Sequence, residues 1–309
     1  MLSGPDMITF SLIIPTYSRW VSLKRLLISI ERLENPPSMQ IEVLVVDNGS
    51  TDGTESFLSS ETRKARKFFI HVLKERQKGK ASALNLGLGA ATGDILVILD
   101  DDIVVDSQLL VKHLECYQQT AFDAVQGRIL PGVDVDGKAA DRDRLREYNI
   151  PHIDYGDEFC EIRGLTGTNM SFKREVFEKV GFFDARLGPG AAGFSEDTEY
   201  SIRMRKAGFK IGYTPHAVVY HELNPNRYGR EYNRIVEYRK GLSRSIYRQD
   251  SIPFRVIPDL LANCLRYGLY RVLGRTQKAY KTEGRIMKCW GYLMGKARGV
   301  NSADTHSQV

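Results

Sequence analysis

Long apolar runs are missing from this chain. None reaches the roughly 18 residues needed to span a bilayer, so no transmembrane helix is expected. Cysteine is scarce: Cys116, Cys160, Cys264 and Cys289 lie far apart with no CxxC pair, which excludes a zinc cluster of ordinary spacing and offers no disulfide framework. Near the first residue the only apolar run is Ile8 to Pro15, preceded by Asp6 and by no basic stretch, so no signal peptide is expected. There is no internal repeat, no low-complexity tract and no array of basic and aromatic residues of the kind that stacks bases, so nucleic acid is not an expected partner. These absences point to a reducing, cytoplasmic setting. What remains is an ordinary globular composition, 42% hydrophobic and 27% charged over 309 residues, enough for one large α/β core or a core with an appendage.

Charge is present but unevenly placed. The net charge is +6, yet residues 251–300 hold ten Lys/Arg against Asp259 and Glu283, a local +8 that leaves −2 for the rest. A near-neutral body with one basic end suits a protein that meets an anionic surface through that end.

From residue 7 to about 105 the pattern alternates between strands (8–14, 41–46, 68–73, 94–99) and helices (22–34, from near 52, 80–91). That alternation predicts a right-handed, mostly parallel sheet flanked by helices. Glycine and charged residues crowd 131–147, and a second Gly-rich stretch covers 188–193, so loops are expected at both. The remainder reads as a helix over 198–207, a strand over 210–220, and helical segments over 228–249 and 257–296.

Asp100, Asp101 and Asp102 directly follow the apolar run Ile95 to Leu99. Three like charges at a strand end repel one another unless a cation or hydrogen bonds offset them, and parallel strand ends are where α/β proteins place ligands. The alternative is a solvated acidic turn. Hard oxygen ligands favour Mg²⁺ or Mn²⁺. Glu196-Asp197 precedes a helix, where the pair serves either as a cap or, beside an acceptor hydroxyl, as a general base. His221 ends a strand-like segment; it is either an ordinary structural histidine or, if brought beside Asp102, a metal ligand. Lys80 opens a helix where it could meet phosphate.

Six segments in order resemble the family 2 glycosyltransferases of the GT-A fold. They are Pro15-Thr16-Tyr17-Ser18-Arg19; Val45 to Thr54, including Asp47-Asn48; Gly79 to Asn85; Ile98 to Asp102, with Asp100 and Asp102 as the ends of a DXD motif; Gly167 to Arg174; and Ser195-Glu196-Asp197-Thr198-Glu199 with Arg203. The resemblance implies an α/β GT-A catalytic domain over 1–225, its nucleotide-binding part at about 7–105, followed by a basic helical extension over 226–309. It also implies transfer of a sugar from a nucleotide-diphosphate donor, UDP-linked by family frequency, to an acceptor hydroxyl with inversion, in polysaccharide, glycolipid or glycan biosynthesis. Pro15, Thr16, Tyr17, Arg19, Asp47, Asn48, Lys80, Asp100, Asp101 and Asn169 are implied to border the donor. Asp102 and His221 are implied as ligands of Mn²⁺ or Mg²⁺, Asp197 as the general base and Glu196 as its neighbour.

Two positions depart from the family pattern: Ser18 stands where Asn is frequent, and Asn48 where a second Asp is common. No QxxRW-type segment follows, which favours single addition over processive synthesis. The basic segment has two readings, a helix lying on the cytoplasmic face of an anionic membrane or a helix packed on the domain with a solvated basic face. Two other functions compete. A sugar nucleotidyltransferase is expected to carry a Gly-rich basic loop after the first strand, which Pro15 to Arg19 is not. A non-catalytic carbohydrate- or nucleotide-binding protein on the same fold would show no metal-dependent nucleotide affinity.

Overall fold

The computed structural model describes residues 7–63, 67–134, 152–224, 227 and 229–299. They belong to two units. Of the described residues, those within 7–134, 152–184 and 197–223 form the first, and those within 185–196 and 224–299 the second.

In the first unit, β1 (Ile8–Thr16), β2 (Met39–Asp47), β3 (Ile70–Lys74) and β4 (Ile95–Leu99) pair in parallel in the order β3-β2-β1-β4. The helices α1 (Trp20–Ile30), α2 (Thr54–Glu61) and α3 (Lys80–Ala90) connect them. This is the predicted mixed α/β sheet with its parallel nucleotide half. Alternate residues of each strand face opposite layers, because side chains on a strand repeat every two residues. Phe10, Leu12, Ile14, Val43, Val45, Val97 and Leu99 pack in one core with Leu23, Leu26 and Leu27 of α1. Ile13, Leu44, Leu96 and Ile98 pack in the other with Ala81, Leu84 and Leu88 of α3. On α3, Gly87 lets the helix approach the sheet closely, since a Cβ there would lie 2.5 Å from Ile13 Cγ2.

Beyond β4 the sheet continues through elements that the alternation did not reveal. β5 (Ile103–Val105) and α4 (Leu109–Gln119) precede β6 (Ala124–Asp134); β7 (Cys160–Glu161), β8 (Asn169–Lys173) and α5 (Arg174–Val180) follow. Next come α6 (Glu196–Lys206) and β9 (Ile211–Leu223). β8 runs antiparallel between β4 and β6, β6 is parallel to β9, and β5 is antiparallel to β9 at the edge. The loop expected from residue 131 therefore starts later: β6 continues to Asp134, with Pro131 opposite His221 next to a register shift that accommodates it. The rest of the expected loop, residues 135–147, lies outside the described residues.

The second unit contains α7 (Arg230–Tyr247), α8 (Ile257–Val272) and α9 (Thr276–Ala297). The single helical stretch expected over 257–296 is two helices, because Gly274 adopts a left-handed φ of 65° that terminates α8. α7 and α9 approach to backbone contact, and only glycine fits there: a Cβ on Gly241 would lie 2.2 Å from the Lys288 carbonyl, and one on Gly291 2.0 Å from that of Tyr238.

Candidate active site

Parallel pairing brings the carboxyl ends of β1, β2 and β4 to one edge of the first unit. Thr16 lies opposite Asp47 in register, and Asp100, Asp101 and Asp102 follow β4. Next along the chain, β5 pairs with β9 so that Ile103 faces His221, and the Glu222 N–H donates to the Asp102 carbonyl at 2.8 Å. This pairing places His221, 119 positions away in sequence, against the aspartates. His221 Nε2 is 3.4 Å from Asp102 Oδ1.

The imidazole's tautomer follows from its other contact. Nδ1 is 2.7 Å from the Glu222 carbonyl, which can only accept, so Nδ1 carries a proton and Nε2, turned toward Asp102, is the nitrogen left to ligate a cation. Glu222 is itself held by the Ser22 hydroxyl, at 2.8 Å, and by an ion pair with Arg25. One ligand atom each from Asp100, Asp102 and His221 lies within 4.8 Å of the others. Two carboxylates and an oriented imidazole nitrogen fit a divalent cation such as Mn²⁺ or Mg²⁺. Asp100, placed by the resemblance along the donor, thus joins the pair Asp102 and His221.

Each aspartate has its own set of partners. Asp100 pairs with Lys80 and accepts from Thr168 Oγ1 at 2.8 Å. Burial opposes its ionisation, but Lys80 and that hydroxyl outweigh it and hold the carboxyl below the usual carboxylate range. Asp101 is turned inward: it accepts from Thr16 Oγ1 at 2.8 Å and pairs with Arg19 at 3.2 Å, and burial, reinforced by Asp102 and Asp100, pushes it up to about 7. Arg19 also bonds Asp102; burial works against its charge, but the three carboxylates raise its pKa above the ordinary guanidinium value. Asp101 and Thr16 therefore brace the turn.

The two departures from the family pattern have local explanations. Asn48 donates to the carbonyls of Glu75 and Gln77 at 3.2 and 2.8 Å and accepts from the Gly79 N–H at 2.8 Å, so its amide pins the loop that delivers Lys80. An aspartate could not donate those two bonds. Ser18 has a left-handed φ of 51°, stabilised by its N–H donating to Ser50 Oγ and its Oγ accepting from the Thr51 N–H. Asp47 is buried and accepts from the Ser50 N–H at 3.0 Å; Pro15 is buried in β1, and Tyr17 is exposed.

Asn169 does not face the ligand edge. It is fully buried, donating to the carbonyls of Arg128 and Ala217 at 3.2 and 3.0 Å and accepting on Oδ1 from His113 Nε2 at 3.1 Å. His113 Nδ1 must then accept from Ser171 Oγ, which accepts from Tyr117. This chain fixes the start of β8 and so aims Thr168 at Asp100; its sequence signal, polar residues inside apolar elements, was missed. Burial pushes His113 down to about 4 against an ordinary 6.5, and the Asn169 contact only partly offsets this. The unfolded chain therefore binds the extra proton first, and stability falls as pH drops from about 6.5 to about 4, by about 1.4 kcal/mol per pH unit from this residue. Urea midpoints measured at pH 7, 5.5 and 4.5 should decline more steeply for the wild type than for His113→Gln; parallel declines would remove His113 as the cause.

Asp197, half-buried, accepts from the Gly167 N–H at 3.3 Å and the Thr198 N–H at 2.6 Å. Gly167 has Lys80 on its other side, a Cβ there lying 3.2 Å from Lys80 Nζ. Gly167 and Thr168 thus connect Asp197 with Lys80 and Asp100, a link absent from sequence reasoning. Glu196 is buried and packs against Gly188. It follows Ser195, whose φ of 77° is the other left-handed non-glycine value among the described residues.

Residues 11–181 match the profile described as Glycosyl transferase family 2. Among curated proteins, "Glycosyltransferase AglE" of Haloferax volcanii is 26% identical over 215 residues, 70% of this chain and 67% of that protein. Across the relatives the match spans between 32% and 67% of their own length. Two solved structures share the fold. A mannosyltransferase from Pyrobaculum calidifontis in complex with GDP-Man and Mn²⁺ has a TM-score of 0.56 at 20% identity, covering 99% of this chain and 79% of that one. S. aureus TarS 1-349 in complex with UDP-GlcNAc has a TM-score of 0.53 at 16% identity, covering 93% and 92%. With the profile covering more than half of the chain, and with a sheet whose carboxyl edge carries the aspartate turn, this protein belongs to glycosyl transferase family 2.

Proposed function

We propose that this chain is an inverting glycosyltransferase that moves a sugar from a nucleotide-diphosphate donor, preferably UDP-linked, to an acceptor hydroxyl in polysaccharide, glycolipid or glycan biosynthesis. The observation that carries this reading is the group Asp100, Asp102 and His221 next to Lys80, connected through Thr168 and Gly167 to Asp197. In this reading Thr16, Arg19, Asp47 and Lys80 border the nucleotide, and Asp100, Asp102 and His221 hold Mn²⁺ or Mg²⁺. A divalent cation there neutralises negative charge on a departing diphosphate. Asp197 accepts the acceptor hydroxyl's proton as the new bond to the anomeric carbon forms and the bond to phosphate breaks on the opposite side. Glu196 supports that end of α6. Residues 1–225 form the catalytic domain in this proposal, and 226–309 its extension.

We further propose a peripheral place on an anionic membrane face. Among the described residues no helix is long and apolar enough to cross a membrane. On α8, however, Leu261, Leu265, Leu269 and Val272 form an exposed apolar ridge, with Val272 86% exposed, and Phe254 projects before it at 87%. Apolar side chains among Arg266, Arg271 and Arg275 suit a helix lying in a lipid headgroup layer.

The test of the donor reading is a thermal-shift panel of UDP, GDP, dTDP and CMP with and without Mn²⁺, since a ligand that binds only the folded state raises its stability. One nucleotide raising the melting point only with metal is the expected result. No shift with any of them would favour a non-catalytic binder.

A further inference from the structure

The second unit forms a half-open cleft of ≈ 250 Å³ between α7, α8, α9 and the π-helical turn Ile252–Val256, with Asn263 at its buried side and Arg255, Arg266 and Arg285 exposed at its rim. That is close to the lower end of small-molecule sites and too small for a whole sugar nucleotide. Its wall carries five cations: Arg244, Arg255, Arg266, Arg285 and Lys288. Arg244 and Arg255 are balanced by Asp250, at 2.7 and 3.1 Å. Arg266 and Arg285 make no ion pair among the described residues, and Asp259 is the one carboxylate in the lining. Burial pushes the Lys288 ammonium below the ordinary lysine range; nearby Glu237 opposes this, and Lys240 and Arg244 add to it. Cations gathered around one cleft with a single carboxylate among them set up a positive potential that attracts an anion.

A second observation points to a ligand. Asn263 also lines the cleft, 93% buried, and its Oδ1 has no hydrogen-bond partner, while its Nδ2 donates to the Asp259 carbonyl at 2.7 Å. That bond fixes the amide's orientation, so the orphan is an acceptor. A buried acceptor without a partner is costly. A ligand that satisfies the whole wall carries negative charge for the cations and one O–H for Asn263. Phosphate and its esters supply both, in the P–O⁻ oxygens and in a protonated oxygen or adjacent hydroxyl.

We propose that this cleft is a phosphate-ester site, separate from the donor edge, in which Arg266, Arg285 and Lys288 bind the phosphoryl oxygens and Asn263 accepts a ligand hydroxyl. The phosphoryl group can be that of a soluble ester or of a lipid headgroup, since α8 carries Asn263 and Arg266 to the cleft and its apolar ridge to the outside.

The experiment titrates the full chain with inorganic pyrophosphate in metal-free buffer, with NaCl of matched ionic strength as control, following the melting point. Metal-free buffer removes the cation-dependent part of binding at the aspartate turn, the Arg285/Lys288 variant separates the cleft from Lys80 and Arg19 there, and UDP with Mn²⁺ measured on the same proteins reads the donor site. The expected result is a saturable rise for the wild type and for Asp102→Ala, with affinity at least about tenfold lower in Arg285→Gln/Lys288→Gln. Asn263→Leu, which removes the orphaned acceptor, should weaken binding as well in a variant whose UDP shift with Mn²⁺ is unchanged. No rise beyond the NaCl control, or undiminished affinity in both variants, would overturn the proposal. Flotation with phosphatidic acid vesicles against phosphatidylcholine vesicles identifies the source. Binding displaced by pyrophosphate assigns the cleft to a lipid phosphate, and pyrophosphate affinity without such displacement assigns it to a soluble ester.

Discussion

Asp197→Asn is expected to lower turnover about 100-fold or more while leaving nucleotide and Mn²⁺ affinity nearly unchanged, the pattern produced when a general base loses its proton acceptor. The expectation rests on geometry as much as on position. Asp197 is half-buried and accepts backbone N–H bonds from Gly167 and Thr198, which orient the carboxylate. The amide preserves shape and one acceptor oxygen but cannot take a proton at neutral pH. Steady-state kinetics with a saturating acceptor separate the cases: a fall in kcat at constant donor KM supports the role, and unchanged kcat removes Asp197 from the mechanism. A matching rise in KM would instead mean that the Gly167 contact, and with it the placement of Lys80, had been disturbed.

The second large effect is expected from Asp102→Ala. Its carboxylate bonds Arg19 and lies 3.4 Å from His221 Nε2, so it is the point at which an oriented imidazole and two carboxylates converge. Metal-dependent nucleotide affinity should drop at least about tenfold, read as loss of the Mn²⁺-dependent part of the UDP thermal shift. The fold itself should tolerate the change, because Arg19 keeps Asp101 as partner and the repulsion within the turn is relieved. Asp102→Asn serves as the isosteric control. A variant whose UDP shift still needs Mn²⁺ would place the metal elsewhere. His221→Ala should weaken the same signal less, since two carboxylates remain.

The parallel half of the sheet was readable from residues because its strands are buried on both faces and appear as continuous apolar runs, as in Val43 to Val46 and Ile95 to Leu99. Beyond Leu99 the signal weakened. β5 has three residues and β8 mixes Asn169 and Ser171 with apolar neighbours, so neither shows a strong period; β8 is a strand because β4 and β6 flank it, and β5 because it pairs with β9. The break between α8 and α9 was carried by one glycine in an otherwise helical pattern.

The site divides in the same way. The chain's residues alone determined the family pattern, the aspartate turn after an apolar strand, the helix that begins at Lys80 and the carboxylate pair before α6, because each is a local feature in which neighbours in sequence are neighbours in space. Tertiary structure decided which of these groups meet. Pairing of β5 with β9 brought His221 to Asp102, the Asn48 staple aimed Lys80 at Asp100, and the His113 chain turned Asn169 away from the ligand edge and Thr168 toward it. Strand register and buried hydrogen bonds join residues tens to more than a hundred positions apart, and a local pattern of residue types carries no record of such partners.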